Sequence, residues 1–112
     1  MKVLGIDPGL TATGIGVIEQ IGNSFTPLHW GVFRSGRGEL AERLQKIHRA
    51  VKDVVQHHKP DLIGVEDIFT ARNPRSALLL GHARGVILIA GASAGSGSAD
   101  SMLGNPAVYR GT

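Results

Sequence analysis

Short apolar runs separated by glycine- and proline-containing turns dominate the first third of the chain. Strand-like runs cover residues 2–7, 14–18 and 28–35, with turn residues at Pro8-Gly9 and Asn23-Ser24 between them. Connections this short favour antiparallel neighbours. The pattern therefore predicts a three-stranded antiparallel meander.

The next segment has helical periodicity. From Glu39 to about His57, apolar residues are spaced 4, 3, 4, 3 and 1 apart, at Leu40, Leu44, Ile47, Val51, Val54 and Val55. Lys59-Pro60 is expected to end this helix. The apolar run 62–65 then predicts a buried strand, and a strand that follows a helical crossover is expected to be parallel to its sheet partner.

A second helix is predicted from Pro74 to about Ala90, with Asn73 as its N-cap and Pro74 as its first residue. Small residues recur along one face of it, at Ala77, Gly81 and Gly85. Two interpretations remain open for that face: packing against the domain's own sheet, or close approach of a second copy.

Composition changes abruptly after residue 90. In residues 91–112, 13 of 22 residues are Gly, Ala or Ser, which is typical of a flexible tail. The expected organisation is a partial domain over residues 1–90 and a tail over 91–112.

Bulk properties limit the functional classes. The 112 residues fit one domain, and a net charge of +3 permits a polyanionic partner without requiring one. The absence of cysteine excludes disulfides, thiolate zinc sites and cysteine nucleophiles. No signal peptide and no membrane-spanning run is recognisable, so we expect a cytoplasmic protein without membrane contact.

Two carboxylates follow predicted strands directly. Asp7 ends the run Val3–Ile6, which suits a strand buried on both faces, and Glu66-Asp67 ends the run 62–65. If those strands are parallel neighbours, Asp7 and Glu66 meet at one edge of the sheet, where α/β proteins bind ligands. Adjacent Asp67 would point to the opposite face. A metal or phosphate site is one interpretation, and capping of the Pro8-Gly9 turn by Asp7 is the other.

Three segments carry a family resemblance: GIDPGLTATGIGVIE at 5–19, PDLIGVEDIFTARNPRSA at 60–77 and LGHARGV at 80–86. With them the chain resembles the RuvC family of Holliday-junction resolvases, within the RNase H-like nucleases. The resemblance implies an α/β fold with a mixed sheet: three antiparallel strands, a helix, a parallel strand and a further helix. It also implies a homodimeric endonuclease that resolves four-way DNA junctions in recombination and repair, with branch-migration proteins as further partners.

The resemblance assigns roles to individual residues. Asp7 and Glu66 match catalytic carboxylates that bind magnesium or manganese, two ions per subunit in a complete site. Phe69 matches an aromatic near the junction centre, although it alternatively folds onto the core. The helix from Pro74 matches the family's dimer helix. Arg72 and Arg75 flank that helix start, where they either contact phosphates or remain solvated.

The resemblance stops near Ala90, so we interpret the chain as a truncated form of the family fold. Family members carry a last acidic pair on a C-terminal helix, and here only Asp100 is acidic after Asp67. Three functional hypotheses follow: a metal-dependent junction endonuclease, a catalytically incomplete form that only dimerises or binds DNA, and an ATP-binding domain that uses the Asp7 turn. The third is disfavoured because kinase-type folds need a second domain.

Overall fold

The computed structural model describes residues 1–66, 73–94 and 107–110. Seven elements follow in chain order: β1 (Lys2–Asp7), β2 (Ala12–Ile21), β3 (Ser24–Arg34), α1 (Leu40–His58), β4 (Leu62–Val65), α2 (Pro74–Ala94) and β5 (Ala107–Arg110). The strands form one sheet in the order β3-β2-β1-β4-β5. No helix in the described part of the chain is long and apolar enough to cross a membrane.

The predicted meander is confirmed. β1 pairs antiparallel with β2, and β2 pairs antiparallel with β3, through a tight turn at Gly22-Asn23. Gly22 adopts a φ of 61°, which glycine tolerates without strain. The turn lies one residue earlier than expected, and both flanking strands are longer, because hairpin pairing continues as far as Ile21 and Ser24.

Both helices cover the same face of the sheet. Leu4 and Ile6 of β1 and Ile63 and Val65 of β4 are buried beneath them. From α1 the core receives Ile47, Val51 and Val55, and from α2 it receives Ala83, Ile87 and Ala90. The helical stripe predicted for α1 is therefore confirmed at its centre, whereas its first member, Leu40, is 37% exposed.

The other face of the sheet is not covered by any described residue. Gly16, Gly5 and Gly64 stand side by side on β2, β1 and β4, so they form a row without side chains, which we call the glycine row. Beside it, the side chain of Trp30 on β3 is 81% exposed. The expectation that β1 is buried on both faces is wrong, because α1 and α2 lie on one side only.

The last two elements differ from the expectation for residues after 90. α2 continues to Ala94, and Ala107–Arg110 pairs antiparallel with the outer edge of β4. Four residues within a Gly/Ser-rich segment show too little periodicity to predict a strand, although pairing with β4 satisfies backbone groups that an open edge would leave free. The predicted division into a domain and a flexible tail stays a prediction.

Candidate active site

Asp7 and Glu66 are brought together by the parallel pairing of β1 and β4. Ile6 lies opposite Val65 in the register, and the Glu66 amide donates a hydrogen bond of 2.9 Å to the Ile6 carbonyl oxygen. Alternation along each strand then directs both carboxylates to the face opposite the helices. The prediction that these two side chains meet at one sheet edge is confirmed.

The carboxylates stand in an open cleft of about 420 Å³ lined by Gly5, Ile6, Asp7, Gly14, Gly64 and Glu66. Glycines form its floor. A Cβ placed on Gly14 would lie 3.4 Å from the Asp7 Cβ and 4.0 Å from its Oδ2. The absence of a side chain there leaves space directly beside the Asp7 carboxylate for a ligand.

The Asp7 carboxyl group alters the titration of Glu66. The pKa of Glu66 is raised above its ordinary value, first by a side-chain hydrogen bond with Asp7, then by the Asp7 charge, and finally by loss of hydration. Two ionised carboxylates this close repel each other, and a bound cation would relieve that repulsion. The negative charges of the pair therefore favour the binding of a cation.

Other residues stabilise the turn that follows Asp7. Thr13 Oγ1 donates a 2.8 Å hydrogen bond to the Gly9 carbonyl oxygen, and a Cβ on Gly9 would lie 2.1 Å from the Ala12 carbonyl oxygen. Within residues 1–66 no turn amide donates a hydrogen bond to the Asp7 carboxylate. The interpretation of Asp7 as a turn cap therefore has no hydrogen bond to support it, and its carboxyl group interacts with that of Glu66 instead.

Arg43 of α1 connects the helix to this turn. Its Nε donates to Ser35 Oγ at 3.2 Å and its Nη2 to Thr11 Oγ1 at 3.3 Å. Ser35 Oγ in turn donates to the Leu10 carbonyl oxygen at 2.5 Å, and the Ser35 amide donates to the Thr11 carbonyl oxygen. One guanidinium thus ties the turn between β1 and β2, and the residue that follows β3, to α1.

Comparison with known proteins shows the family to which this chain belongs. The model of the family described as crossover junction endodeoxyribonuclease RuvC matches residues 3–99. The chain belongs to the RuvC family. The match extends nine residues beyond the boundary near Ala90 that the sequence motifs indicated.

Individual relatives agree with this assignment. The RuvC crossover junction endodeoxyribonuclease of Pseudomonas fluorescens is 47% identical over 93 residues, which are 83% of this chain and 53% of that protein. That of Geobacter sulfurreducens is 46% identical over 96 residues, 85% of this chain and 58% of its own. The chain thus spans about half the length of these curated relatives.

Among solved structures, Thermus thermophilus RuvC in complex with Holliday junction substrate is similar. It matches with a TM-score of 0.77 at 33% identity, over 83% of this chain and 60% of that one. The predicted RNase H-like mixed sheet is confirmed by this likeness.

Arg84 is a candidate site residue that the sequence motifs alone did not single out. It lies within the RuvC-like segment 80–86, and its Nε donates a 3.2 Å hydrogen bond to the Glu66 carbonyl oxygen. This half-buried guanidinium contacts the backbone of Glu66 from the helical side and helps to fix the end of β4. Only the packing of α2 against β4 reveals this contact, because 18 residues separate the two positions in sequence.

The structure describes only some of the predicted DNA-contacting residues. Phe69, Arg72 and the second acidic residue Asp67 lie outside the described residues, as does Asp100. Arg75 is exposed in the first turn of α2. The predicted N-cap is confirmed, since the Ser76 amide donates to Asn73 Oδ1 at 2.9 Å.

The small-residue face of α2 points away from the core. Ala77, Gly81 and Gly85 are exposed, and a Cβ on either glycine would meet nothing within 4 Å. Leu78 and Ile89 beside them are 63% and 61% exposed. Packing of this face against the chain's own sheet is therefore wrong, and dimerisation stays a prediction.

Three histidines meet at the opposite end of the sheet, which their spacing in sequence does not suggest. The His58 ring lies 4.7 Å from that of His57 and 5.6 Å from that of His29. Burial, and then His57, His29 and Lys2, lower the pKa of His58. No group of three or more metal-ligating side chains occurs among the described residues, here or at Asp7.

Proposed function

We propose that this chain carries the catalytic edge of a crossover junction endodeoxyribonuclease, which resolves four-way DNA junctions by metal-dependent phosphodiester hydrolysis. The observation that carries the proposal is the contact between the Asp7 and Glu66 carboxylates at the carboxyl ends of β1 and β4. Membership of the RuvC family supports the substrate class, since the similar Thermus thermophilus RuvC was solved in complex with Holliday junction substrate.

The donor set fits a hard divalent cation. Carboxylate oxygens are the protein ligands that magnesium and manganese take, and magnesium keeps several waters, so few protein ligands suffice for each ion. Asp7 and Glu66 would hold such a cation through their carboxylate oxygens. Bound there, the ions would supply an activated water and neutralise charge on the phosphate. Since only two carboxylates meet among the described residues, the set for two ions is incomplete.

The chain's own residues control how readily the site accepts a cation. Because the pKa of Glu66 is raised by Asp7, a proton and a cation compete for the same pair of oxygens. Affinity for the cation should therefore increase as pH rises through the Glu66 titration. Gly14 and Gly64 keep the cleft open to the phosphodiester, and Arg84 fixes the backbone from which Glu66 projects.

A cleavage assay on a synthetic four-way junction tests the proposal. We expect nicking that requires Mg²⁺ or Mn²⁺ and is lost in Asp7→Asn and Glu66→Gln, while Lys52→Ala on the exposed side of α1 retains it. Nicking that survives both carboxylate substitutions would show that another site performs the hydrolysis.

The second candidate function is junction binding without cleavage. It is favoured by the site itself, because no group of three or more metal-ligating side chains occurs in the part of the chain that the structure describes. A gel-shift titration run beside the cleavage assay separates the two. Retention of the junction with no nicked product at any Mg²⁺ or Mn²⁺ concentration would establish binding alone.

We further propose a homodimer formed through α2, acting in the cytoplasm and alongside branch-migration proteins. The exposed small residues of α2, flanked by exposed Leu78 and Ile89, support the dimer. Sedimentation equilibrium should report two copies for the unaltered chain and one for Gly81→Glu, a change that the open space around Gly81 lets the folded monomer accept. Equal masses for both proteins would contradict the α2 interface.

A further inference from the structure

A basic pocket lies away from the carboxylate pair, between the end of β3 and the flank of α1. It has a volume of about 530 Å³ and is lined by Phe33, Arg34, Ser35, Gly36, Lys46, Arg49, Ala50 and Asp53. Three of these residues are cationic, Arg34, Lys46 and Arg49, and one is acidic. We call this site the β3–α1 pocket.

The cations of the pocket are not neutralised within the described part of the chain. Arg34, Lys46 and Arg49 are exposed, and none of them makes an ion pair or a side-chain hydrogen bond with residues 1–66, 73–94 or 107–110. Three positive charges around one concavity concentrate a positive potential there. An anionic group is the ligand that such a site favours, and planar guanidinium groups match phosphate oxygens in pairs.

The Arg34 end of the pocket lies near the same edge of the sheet as the carboxylates. Asp7 pairs with Gly14, and Gly14 pairs with Val32, so Arg34 lies two strands across from Asp7 and two residues further along. With strands about 4.8 Å apart and about 3.3 Å per residue, the two backbone positions are separated by about 12 Å. At about 3.4 Å of helix axis per nucleotide, that distance corresponds to three or four nucleotides of one DNA strand.

We propose that the β3–α1 pocket binds a backbone phosphate of the DNA strand whose scissile phosphate lies at Asp7 and Glu66. This inference rests on the proposed function and adds a second contact to it. Arg34 and Lys46 hold the phosphate at the end of the pocket nearer to the carboxylates, since α1 begins beside the carboxyl end of β3. Asp53 lies about 10 Å further along α1, at 1.5 Å per residue, and confines the phosphate to the basic end by repulsion.

Binding measured as a function of salt tests the pocket. At about 0.1 M salt, Lys46→Ala and Arg49→Ala should each weaken binding of a four-way junction by about 3- to 10-fold and lower the slope of log affinity against log salt by about 1. Lys52→Ala removes the same charge from the same helix outside the pocket and serves as the matched control. Asp53→Asn should strengthen binding.

Chemical shifts of backbone amides give an independent readout that does not depend on cleavage. Adding a short DNA duplex should shift the amides of residues 34–36 and 46–53. Inorganic phosphate at the same phosphate concentration should not saturate them, because a single anion lacks the contacts of a strand. Saturation by inorganic phosphate alone would identify a small-anion site and overturn the assignment to DNA.

The outcomes separate this proposal from the previous one. If Lys46→Ala and Arg49→Ala bind the junction no more weakly than Lys52→Ala, or if Asp53→Asn fails to strengthen binding, the pocket assignment is overturned while the carboxylate site stands. If the unaltered chain binds no junction, both proposals fail. Loss of cleavage in Asp7→Asn with unchanged salt dependence supports two separate contacts.

Discussion

Replacing Arg43 tests whether the loop beside the carboxylates depends on α1. Arg43→Ala removes two hydrogen bonds, one to Ser35 Oγ and one to Thr11 Oγ1. A hydrogen bond contributes about 0.5–1.5 kcal/mol net, and more with a charged donor. These two are long, at 3.2 and 3.3 Å, and Arg43 is only half-buried, so a total of about 1–2 kcal/mol is expected.

Urea unfolding measures the global effect. With a urea slope of about 1–3 kcal/mol/M, a loss of about 1–2 kcal/mol should lower the midpoint by about 0.3–2 M in Arg43→Ala. Arg43→Lys keeps the charge but has one nitrogen, which cannot reach both hydroxyls, so it should recover only part of the loss. Lys52→Ala on the exposed side of α1 should change stability by less than about 0.5 kcal/mol.

A double-mutant cycle and hydrogen exchange locate the effect. Arg43 and Thr11 should couple by about 0.5–1 kcal/mol when Thr11→Ala is combined with Arg43→Ala. The Ser35 amide, which donates to the Thr11 carbonyl oxygen, should exchange faster in Arg43→Ala. A loss no larger than that of Lys52→Ala, no coupling, and unchanged Ser35 exchange would together refute the view that Arg43 holds this loop.

Three further changes probe the site and the fold. In Asp7→Asn, the pKa of Glu66 should return toward 4.5, and a carbon-detected NMR titration that leaves it raised would contradict the assigned cause. Gly9→Ala should lower the free energy of unfolding by about 1–3 kcal/mol, because the added Cβ would lie 2.1 Å from the Ala12 carbonyl oxygen. A Cβ on Gly31 would meet nothing within 4 Å, so Gly31→Ala is the control. Equal urea midpoints for the two variants would exclude the clash at Gly9. Because the pKa of folded His58 lies below 6.5, stability should fall as pH decreases through 6.5, and this pH dependence should be weaker in His58→Gln.

Local patterns were sufficient to predict most of the elements that build the site. The period of α1 is evident because Ile47, Val51 and Val55 repeat on one face, and the short turns between strands imply antiparallel pairing. The meeting of Asp7 and Glu66 was predicted because a helical crossover usually makes the next strand parallel. Each of these inferences depends on interactions within one segment or between neighbours.

The sequence does not predict the contacts that depend on how the helices pack against the sheet. Arg84 reaches the end of β4 only because α2 lies across it, and His29 meets His58 only because β3 and α1 share a flank. Exposure of Asp7 was also missed, since an apolar run cannot reveal whether one or both faces of its strand are covered. The sequence shows which side chains are apolar, but the rest of the chain decides whether one face or both faces of a strand are covered.

The glycine row has a consequence for how this chain responds to substitution. A Cβ on Gly16 or Gly64 would meet nothing within 4 Å, and neither residue adopts a positive φ, so the folded conformation of this chain does not require glycine at either position. Gly16→Ala should therefore raise the free energy of unfolding by about 0.5–1 kcal/mol. In a protein with the full length of its relatives, a loss of stability from the same change would reveal a neighbour seated on this face. The added methyl group would then report whether the rest of a longer chain covers this face of the sheet.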